Sequence, residues 1–354
     1  VADDKIHLYV LPPLIEAGEK LNEPKYIEKA HQVLEYYKLR KDLVEFNTLS
    51  HFHAYTIESL CDLGEIDLAK KAMEQIATLQ KGDGSVPAYK NVSWTCSTGL
   101  AQFAIIWYKL GMREYADKAV NYLEKIQNQS GGFYGSYGKK ANYFPKKEIS
   151  WAVKYFLDAC YWKIKTAFDQ NVDIFSNKID ESDGRVEELL SFLGDIKNKK
   201  IIDVGCGKGR YLHILKSKFP KAKLYGMDIS EQMLKFCPED AEKKCGSVLN
   251  IKYPDNYFDC VYSIEALEHT LMAGNAIKEM ARILKPDGKL IIIDKNIEKK
   301  GKLKTEAWEQ WFEPKKIVYL LQENDINASY KEISYGKNQK PDGLFISWKG
   351  QKNN

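Results

Sequence analysis

The chain has 354 residues, of which 44% are apolar and 29% are charged, and its formal net charge is +4. This length exceeds the usual size of one hydrophobic core, so we expect two folded domains. The mild charge, with no basic stretch interleaved with aromatic residues, argues against nucleic acid as the substrate. No apolar run approaches the roughly 20 residues that span a bilayer, and no signal-peptide pattern opens the chain.

The seven cysteines are scattered along the chain, and none belongs to a Cys-x-x-Cys pair. An odd number without paired spacing is typical of a reducing compartment and argues against structural zinc. We therefore predict a cytoplasmic protein without a metal site. His51 and His53 do not change this expectation, because helical residues two apart point to different sides and no third ligand is evident.

Residues 1–168 are predicted to form an all-α domain of helical hairpins, because they contain an internal repeat. The segment that begins at Leu63 matches the segment that begins at Leu110 at a constant offset of 47 residues. At this offset Gly84 pairs with Gly131. Each repeat reads as a helix, a Leu-Gly break, a second helix and a glycine-rich turn, which predicts stacked hairpins.

This pattern resembles the α/α-toroid hairpins of terpene cyclases, prenyltransferases and several polysaccharide-acting enzymes, in which a Gln-x-x-x-Gly-Gly-like turn joins successive hairpins. The chain offers fewer hairpins than a closed toroid, so we expect an open arc that binds or scaffolds and has no cyclase or lyase activity. Planar rings in or beside the turns could stack on sugars or pack one hairpin on the next. These rings are Tyr89, Trp94, Tyr134, Tyr137, Tyr143, Phe144 and Trp151.

A linker is predicted at residues 169–185, where helical periodicity is lost, and a second domain at residues 186–354. Within this second domain, Lys199 to Lys216 reads as a buried strand, a glycine-rich turn and a helix in succession. Glycines in such a turn let the backbone pass close to a ligand at the N-terminal end of a helix. The sixth position of the turn is Arg210, so the dinucleotide-binding fingerprint is not met.

The acidic-x-Gly-x-Gly-x-Gly arrangement from Asp203 to Gly209 resembles motif I of the class I S-adenosylmethionine-dependent methyltransferases. Later segments follow that family's order: a second strand ending in Asp228, a fourth strand within Pro254–His269, and a helix, a turn and a fifth strand within Ala276–Ile293. The resemblance implies a Rossmann-like α/β domain with a mostly parallel seven-stranded sheet. It also implies that the two final strands form an antiparallel hairpin at the sheet edge.

The same resemblance implies that S-adenosyl-L-methionine is the cofactor and S-adenosyl-L-homocysteine the product. The Asp228 carboxylate would accept both hydrogen bonds from the ribose diol. Where many relatives have an adenine-binding aspartate, this chain has Ser247, so adenine contacts are expected from Ser247, from the backbone around Val248 and from apolar packing. The expected cofactor-binding residues are Asp203, Gly205, Cys206, Gly207, Gly209, Asp228, Ile229, Ser247, Val248 and Glu265.

An alcohol acceptor requires a general base that takes its proton. His269 is the first candidate, because it follows the fourth strand on the ligand side and titrates near neutrality. Glu265 and Asp294 are the next candidates. Alternatively, His269 only flanks the following helix, and an acidic hydroxyl or neutral nitrogen acceptor needs no base. The residues expected at the acceptor or in a lid, with core packing as the alternative, are Tyr211, Trp308 and Trp311.

We therefore predict an S-adenosylmethionine-dependent methyltransferase. The aromatic turns of the N-terminal domain favour a carbohydrate-containing acceptor, such as an intermediate of surface polysaccharide assembly, methylated on oxygen. Two alternatives stay open: methylation of a small metabolite, and a catalytically inactive glycan-binding or scaffold protein. The expected partners are a small-molecule or glycan acceptor and a second copy of the chain in a homodimer, with neither nucleic acid nor a membrane span.

Overall fold

The structure, a computed structural model, describes residues 4–270, 272–301, 305, 309–333 and 340–354. The chain divides into two compact units, Val1–Thr166 and Ala167–Asn354. Each unit has its own buried apolar core. Among the described helices, none combines the length and the apolar character that a bilayer crossing requires.

The first unit is built from helices, and its described residues contain one short two-stranded ladder. The helices are α1 (Leu11–Lys20), α2 (Pro24–Lys38), α3 (Ser50–Asp62), α4 (Ile66–Ala77), α5 (Ser97–Lys109), α6 (Arg113–Ile126) and α7 (Ser150–Gln170), after a 3-10 helix at Asp4–Val10. The strands β1 (Thr95–Cys96) and β2 (Ser136–Tyr137) pair antiparallel. Helix α5 is buried on all sides, whereas α4 and α6 each bury one stripe. Helix α5 therefore forms the centre of this unit's core.

The predicted repeat is confirmed by hydrogen bonds that recur at the 47-residue offset. After α4, Gln80 Nε2 donates to the Gly84 carbonyl at 3.2 Å. After α6, Gln127 Nε2 donates to the Gly131 carbonyl at 2.8 Å. In both repeats the glutamine side chain closes the turn that follows the second helix of the hairpin. The toroid-like arrangement of the hairpins stays a prediction.

The second unit is a doubly wound α/β domain. Its strands are β3 (Lys200–Val204), β4 (Lys223–Asp228), β5 (Glu242–Cys245), β6 (Phe258–Ile264), β7 (Leu284–Lys295), β8 (Ile326–Ile333) and β9 (Phe345–Lys352). They form a seven-stranded sheet in the order β5-β4-β3-β6-β7-β9-β8. Pairing is parallel from β5 to β7, and β9 is antiparallel to both β7 and β8. The mostly parallel seven-stranded sheet and the antiparallel edge pair are thus confirmed.

Helices cover both faces of this sheet and form two separate cores. The helices are α8 (Gly184–Leu193), α9 (Arg210–Lys218), α10 (Glu231–Leu234), α11 (Ala273–Ile283) and α12 (Pro314–Gln322), with 3-10 helices at Val172–Ile174, Leu267–His269 and Ile297–Lys299. Residues of α11 and α12 pack on one face, and residues of α8 and α9 pack on the other. Strand order reverses between β3 and β6, and ligands of such sheets bind at the carboxyl ends of the strands beside this point.

The predicted Pro-Asp-Gly turn before the fifth strand is wrong in one respect, because it lies inside β7. Leu284 pairs with Phe258, and the register then shifts so that Lys289 pairs with Cys260. Asp287 adopts a φ of 59° within this irregularity. The residues between these two pairs form a bulge at the place where the local sequence predicts a turn.

Two equivalent glycines of the helical repeat provide a test of packing. Gly84 and Gly131 have φ values of 96° and 83°. A Cβ atom at position 84 would lie 2.0 Å from the Lys118 carbonyl oxygen, whereas no described atom lies within 4 Å of a Cβ atom at position 131. We expect Gly131→Ala to lower the free energy of unfolding by about 1–2 kcal/mol, the cost of a left-handed alanine. We expect Gly84→Ala to lower it by about 1–3 kcal/mol more, because of overpacking. Urea denaturation measures both, and equal losses would contradict the prediction.

Candidate functional site

The site is built on the turn between β3 and α9. Gly205 and Gly209 have φ values of 82° and 73°, which side chains with a Cβ atom rarely adopt. A Cβ atom at position 205 would lie 2.3 Å from Ala266 Cβ, and one at position 209 would lie 2.8 Å from Cys237 Sγ. The turn therefore needs glycine at both positions for its conformation and for space.

Gly207, between them, differs in its surroundings. No described atom lies within 4 Å of a Cβ atom built at this position. Its backbone N–H points to the Asp228 carboxylate, and Gly207 N donates to Asp228 Oδ2 at 2.8 Å. The turn thus leaves open space over its middle residue, directly before the N-terminal end of α9, where backbone N–H groups favour a polar ligand.

Asp228 ends β4 beside this turn. Its second carboxylate oxygen, Oδ1, accepts from Ser230 N at 2.9 Å. The side chain is mostly buried, with 8% of the residue exposed. Hydrogen bonds from two backbone N–H groups hold the carboxylate in one orientation, and a carboxylate oxygen has lone pairs for more than one donor. Asp228 is therefore a rigid acceptor at the carboxyl ends of β3 and β4.

Asp203 lies in β3 and has almost no exposed surface, at 1%. It is in register with Gly226 of β4 and with Tyr262 of β6. Burial raises the pKa of Asp203 to about 8, and the nearby Asp228 carboxylate raises it as well, against the lowering effect of Tyr262. Near pH 7 the Asp203 carboxyl group therefore holds a proton and can donate as well as accept a hydrogen bond.

The other expected cofactor residues lie around the same strand ends. Cys206 is buried, and its Sγ lies 3.8 Å from Cys237 Sγ. Ser247 follows β5, where its Oγ accepts from Leu249 N at 3.1 Å and shapes the turn. Ile229 and Val248 are half-buried. The fold thus brings the expected cofactor residues to the carboxyl ends of three adjacent strands, β3, β4 and β5.

Glu265 directly follows β6 and is held by two arginines. Arg185 Nη1 and Arg210 Nη2 both donate to Glu265 Oε2. Arg185 also makes two hydrogen bonds to Asp183, at 2.9 and 2.8 Å, and its side chain is only 4% exposed. Sequence reasoning missed both arginines as site residues. No local pattern connects Arg185 with Glu265, because 80 positions of sequence separate them.

A second charged group lies at the carboxyl ends of β6 and β7. Lys295 Nζ donates to Glu268 Oε1 and to Glu309 Oε1, both at 3.0 Å. His269 Nε2 lies 3.4 Å from Glu268 Oε1. The His269 ring meets the Phe168 ring edge to face, with 5.2 Å between centroids. Sequence reasoning missed Glu309, which lies 14 positions after its partner Lys295.

The charges in this second group are set by burial. Burial raises the pKa of Glu268 to about 7, although the Lys295 ammonium lowers it. Burial lowers the pKa of His269 to about 4. His269 is therefore neutral at pH 7, and its buried Nδ1 has no hydrogen-bond partner in the described part of the chain. The neutral imidazole carries a lone pair that can accept a proton, although burial makes it a weaker base than an exposed histidine.

Asp294, the third catalytic candidate, is completely buried. Its Oδ2 accepts from Glu268 N at 3.0 Å, and its Oδ1 accepts from Lys295 N at 2.8 Å. Its carboxyl group thus braces the backbone of the two residues beside it in the site. No part of the side chain is exposed to a ligand in this structure.

The residues expected at the acceptor or in a lid are found in different surroundings. Tyr211 is buried in the core beneath α9 and has 3% exposed surface. Trp311 Nε1 donates to Glu309 Oε1 at 2.7 Å, next to the charged group around Lys295. Trp308 lies outside the described residues. Among the described residues, no group of three or more metal-ligating side chains could hold a metal ion.

Comparison with known proteins identifies the region that carries this site. Residues 202–292 match a family model described as a methyltransferase domain. An uncharacterized protein of Methanocaldococcus jannaschii is 36% identical over 110 residues, which cover 30% of this chain and 47% of that protein. Tocopherol O-methyltransferase of Arabidopsis thaliana is 31% identical over 143 residues, which cover 35% of this chain and 40% of that protein.

A solved structure shows a weaker likeness. The structure of an S-adenosylmethionine-dependent methyltransferase from Aquifex aeolicus has 21% sequence identity and a TM-score of 0.39, covering 54% of this chain and 97% of that one. The chain spans about half or less of the length of the first curated relatives that it matches. The family match lies within the C-terminal unit, and the helical unit has no counterpart in the matched family model.

The Asp228 carboxylate can be tested by cofactor binding. We expect Asp228→Ala to weaken the binding of S-adenosylhomocysteine about 10- to 150-fold, which corresponds to about 1.5–3 kcal/mol for lost hydrogen bonds to a charged group. Isothermal titration calorimetry measures the affinity. The control is Asp255→Ala, whose carboxylate is 69% exposed before the start of β6 and pairs with Arg282. Equal affinities of the Asp228 and Asp255 variants would exclude Asp228 from the binding site.

Proposed function

We propose that this chain is a class I S-adenosylmethionine-dependent methyltransferase, which the match of residues 202–292 to a methyltransferase-domain family supports. It transfers the methyl group of S-adenosylmethionine to an oxygen atom of a small-molecule acceptor. One contact carries the proposal. Gly205 of the cofactor turn packs against Ala266, so that a Cβ atom at 205 would lie 2.3 Å from Ala266 Cβ. The cofactor turn therefore adjoins the loop that holds Glu268 and His269.

The residues present fit the cofactor in three ways. Open space over Gly207 adjoins the N-terminal end of α9, and Asp228 is a fixed acceptor for a ribose diol. Arg185 and Arg210 bring two cations to the β6 side of the same turn. When bound, S-adenosylmethionine supplies an electrophilic methyl group on a sulfonium. The chain's own residues bind and orient the reactants, and they remove the acceptor proton.

His269 is the proposed general base, and Glu268 is its positioning residue. The Glu268 carboxylate lies 3.4 Å from His269 Nε2, and it favours the tautomer whose proton is on Nε2. The lone pair on Nδ1, which is buried and has no hydrogen-bond partner among the described residues, then takes the acceptor hydroxyl proton once the acceptor reaches this atom. The Glu268 carboxylate also stabilises the imidazolium that forms, as the carboxylate of a catalytic triad does. Glu265 is less suited to this role, because two arginines occupy its carboxylate.

The relative named tocopherol O-methyltransferase supports a small-molecule acceptor that is methylated on oxygen. That relative does not support the carbohydrate-containing acceptor that we expect from the sequence. A sugar hydroxyl remains the second candidate, because the first unit contains a cluster of rings and hydroxyl groups around His51. The reaction would be the same in both cases, with the acceptor oxygen forming a bond to the methyl carbon as the carbon–sulfur bond breaks.

Release of S-adenosylhomocysteine tests the function directly. The purified chain is incubated with S-adenosylmethionine and with cell extract separated into small-metabolite, nucleotide-sugar and lipid-linked or polymeric glycan fractions. We expect turnover with the small-metabolite fraction. Turnover confined to the sugar-bearing fractions would favour the second candidate. Cofactor binding without turnover on any fraction would favour the inactive scaffold protein.

The pH dependence separates the roles of Glu268 and His269. The carboxylate form of Glu268 is needed, and its pKa is about 7, so we expect kcat/KM to rise as the pH increases through about 7. His269, with a pKa of about 4, is already neutral in this range and does not contribute to the rise of kcat/KM. Glu268→Gln should remove the rise.

His269→Ala should lower turnover about 100- to 10,000-fold, the usual contribution of a general base, and should leave cofactor affinity unchanged. Turnover is measured with the fraction that supports it in the wild-type chain. In the pH experiment, a rise of kcat/KM through pH 7 that persists in Glu268→Gln would assign the titration to another group. Unaltered turnover in His269→Ala would exclude this residue as the base.

A further inference from the structure

The first helices of two successive hairpins in the N-terminal unit, and the helix that follows these hairpins, begin in the same way. Helices α3, α5 and α7 begin at Ser50, Ser97 and Ser150. The second position of these helices is occupied by His51, Thr98 and Trp151, and the sixth position by Tyr55, Gln102 and Tyr155. Positions four residues apart share one face of a helix. Each helix thus presents two polar or aromatic side chains on equivalent faces of the repeat.

These equivalent positions converge on His51. His51 Nδ1 lies 2.6 Å from Gln102 Oε1. The His51 ring lies 4.9 Å from the Tyr55 ring and 6.2 Å from the Tyr155 ring, measured between centroids. Close approach of α3 and α5 is possible because residue 99 is glycine: a Cβ atom there would lie 2.2 Å from Ser50 Oγ. We call these side chains, with Thr98, Tyr143 and Trp151, the His51 cluster.

Two buried polar atoms in the His51 cluster have no hydrogen-bond partner within the described part of the chain. They are Thr98 Oγ1 and Gln102 Nε2, and both residues have 0% exposed surface. The neighbouring Ser50 Oγ has no partner there either, whereas Ser97 Oγ donates to the Tyr134 carbonyl at 2.6 Å. Buried polar groups are nearly always paired, so orphaned donors and acceptors indicate a missing ligand or ordered water. A cluster of rings that served only as core packing would not need these unpaired polar atoms.

The cluster extends outward to an aromatic rim. The Tyr143 ring lies 6.3 Å from His51 and 5.0 Å from the Phe144 ring, which in turn lies 5.9 Å from the Trp151 ring. Phe144 and Trp151 are 42% and 38% exposed. Side chains thus pass from fully buried polar groups to partly exposed rings, which is the composition of a ligand site.

The His51 cluster carries no net charge. Burial lowers the pKa of His51, so its imidazole is neutral at pH 7. Lys154, a cation beside the cluster, lies over the Tyr155 ring at 4.0 Å and is paired with Asp158 at 2.7 Å. One turn beyond Tyr55, Glu58 is paired with Lys109 at 3.1 Å. A charged ligand would therefore lose its hydration without gaining an ionic partner.

We propose that the His51 cluster is a binding site for a neutral saccharide. A pyranose ring has a face of C–H groups and a rim of hydroxyl groups. The C–H face fits the faces of the Tyr143 and Trp151 rings. The hydroxyl rim fits the Thr98 hydroxyl, the Gln102 amide and the tyrosine hydroxyls, which can both donate and accept hydrogen bonds. The proposal does not depend on methyl transfer, because every residue that it uses lies within the first unit.

Saturation-transfer NMR on the full chain tests the proposal without any methyl-transfer assay. The probes are the methyl glycosides of glucose, galactose and mannose, together with maltotriose and cellotriose. We expect at least one of these neutral sugars to bind, and we expect methyl glucuronide, which carries a carboxylate, to bind at least tenfold more weakly than methyl glucoside. Absence of binding by every neutral probe, or equal binding of the glucuronide, would overturn the proposal.

Three variants locate the site. Gln102→Leu removes the amide at similar volume, and Trp151→Ala removes a partly exposed ring, so that its loss is compatible with folding. We expect both to weaken the bound sugar at least tenfold. The matched control is Tyr36→Ala on α2, an aromatic residue that is 66% exposed outside the cluster, and it should bind like wild type. Thermal unfolding confirms that the Trp151 variant is folded. Undiminished binding in folded Trp151→Ala, or an equal loss in Tyr36→Ala, would overturn the site.

Discussion

The close backbone approach at Gly205 is the constraint on which the candidate site depends. A Cβ atom at this position would overlap Ala266 Cβ, at 2.3 Å, so the end of β3 and the loop after β6 can meet only through glycine. Because this contact brings the two strand ends together, Asp228 and His269 belong to one region although 41 positions of sequence separate them. The reversal of strand order at the same place leaves the crevice that a ligand needs.

Local features of this region could be predicted from the sequence, and long-range ones could not. The strand, turn and helix around Gly207, and the acidic strand end at Asp228, are encoded within short segments that periodicity reads directly. Long-range contacts depend on which parts of the chain become neighbours in the fold. Examples are the ion pair between Arg185 and Glu265 and the bridge from Lys295 to Glu309. No local pattern reports that choice. The bulge in β7 escaped prediction for a related reason, since its Pro-Asp-Gly signal is the same in a turn and in a bulge.

The helical unit contains a similar division between structural and divergent positions. The repeat was detectable because Gln80 and Gln127 close equivalent turns in the two hairpins, and a turn that every hairpin needs keeps its residues. The second and sixth positions differ between the two hairpins, with His51 and Tyr55 in one and Thr98 and Gln102 in the other, so a search for repetition does not find them. Their convergence on His51 becomes evident only when the helices are packed. A repeat thus supplies the scaffold, and its divergent positions supply a surface with its own chemistry.

The buried cation of Arg185 finally explains why the two glutamates after β6 differ in role. A guanidinium that is 4% exposed needs anionic partners, and Asp183 and Glu265 provide them. Displacement of Glu265 would leave a buried charge only partly compensated, which is costly. Glu265 is therefore committed to the fold of the turn. Glu268 instead has a pKa raised to about 7 by burial, so it changes its charge in the range where an enzyme works. Glu268 is therefore the glutamate suited to support the proposed proton transfer by His269.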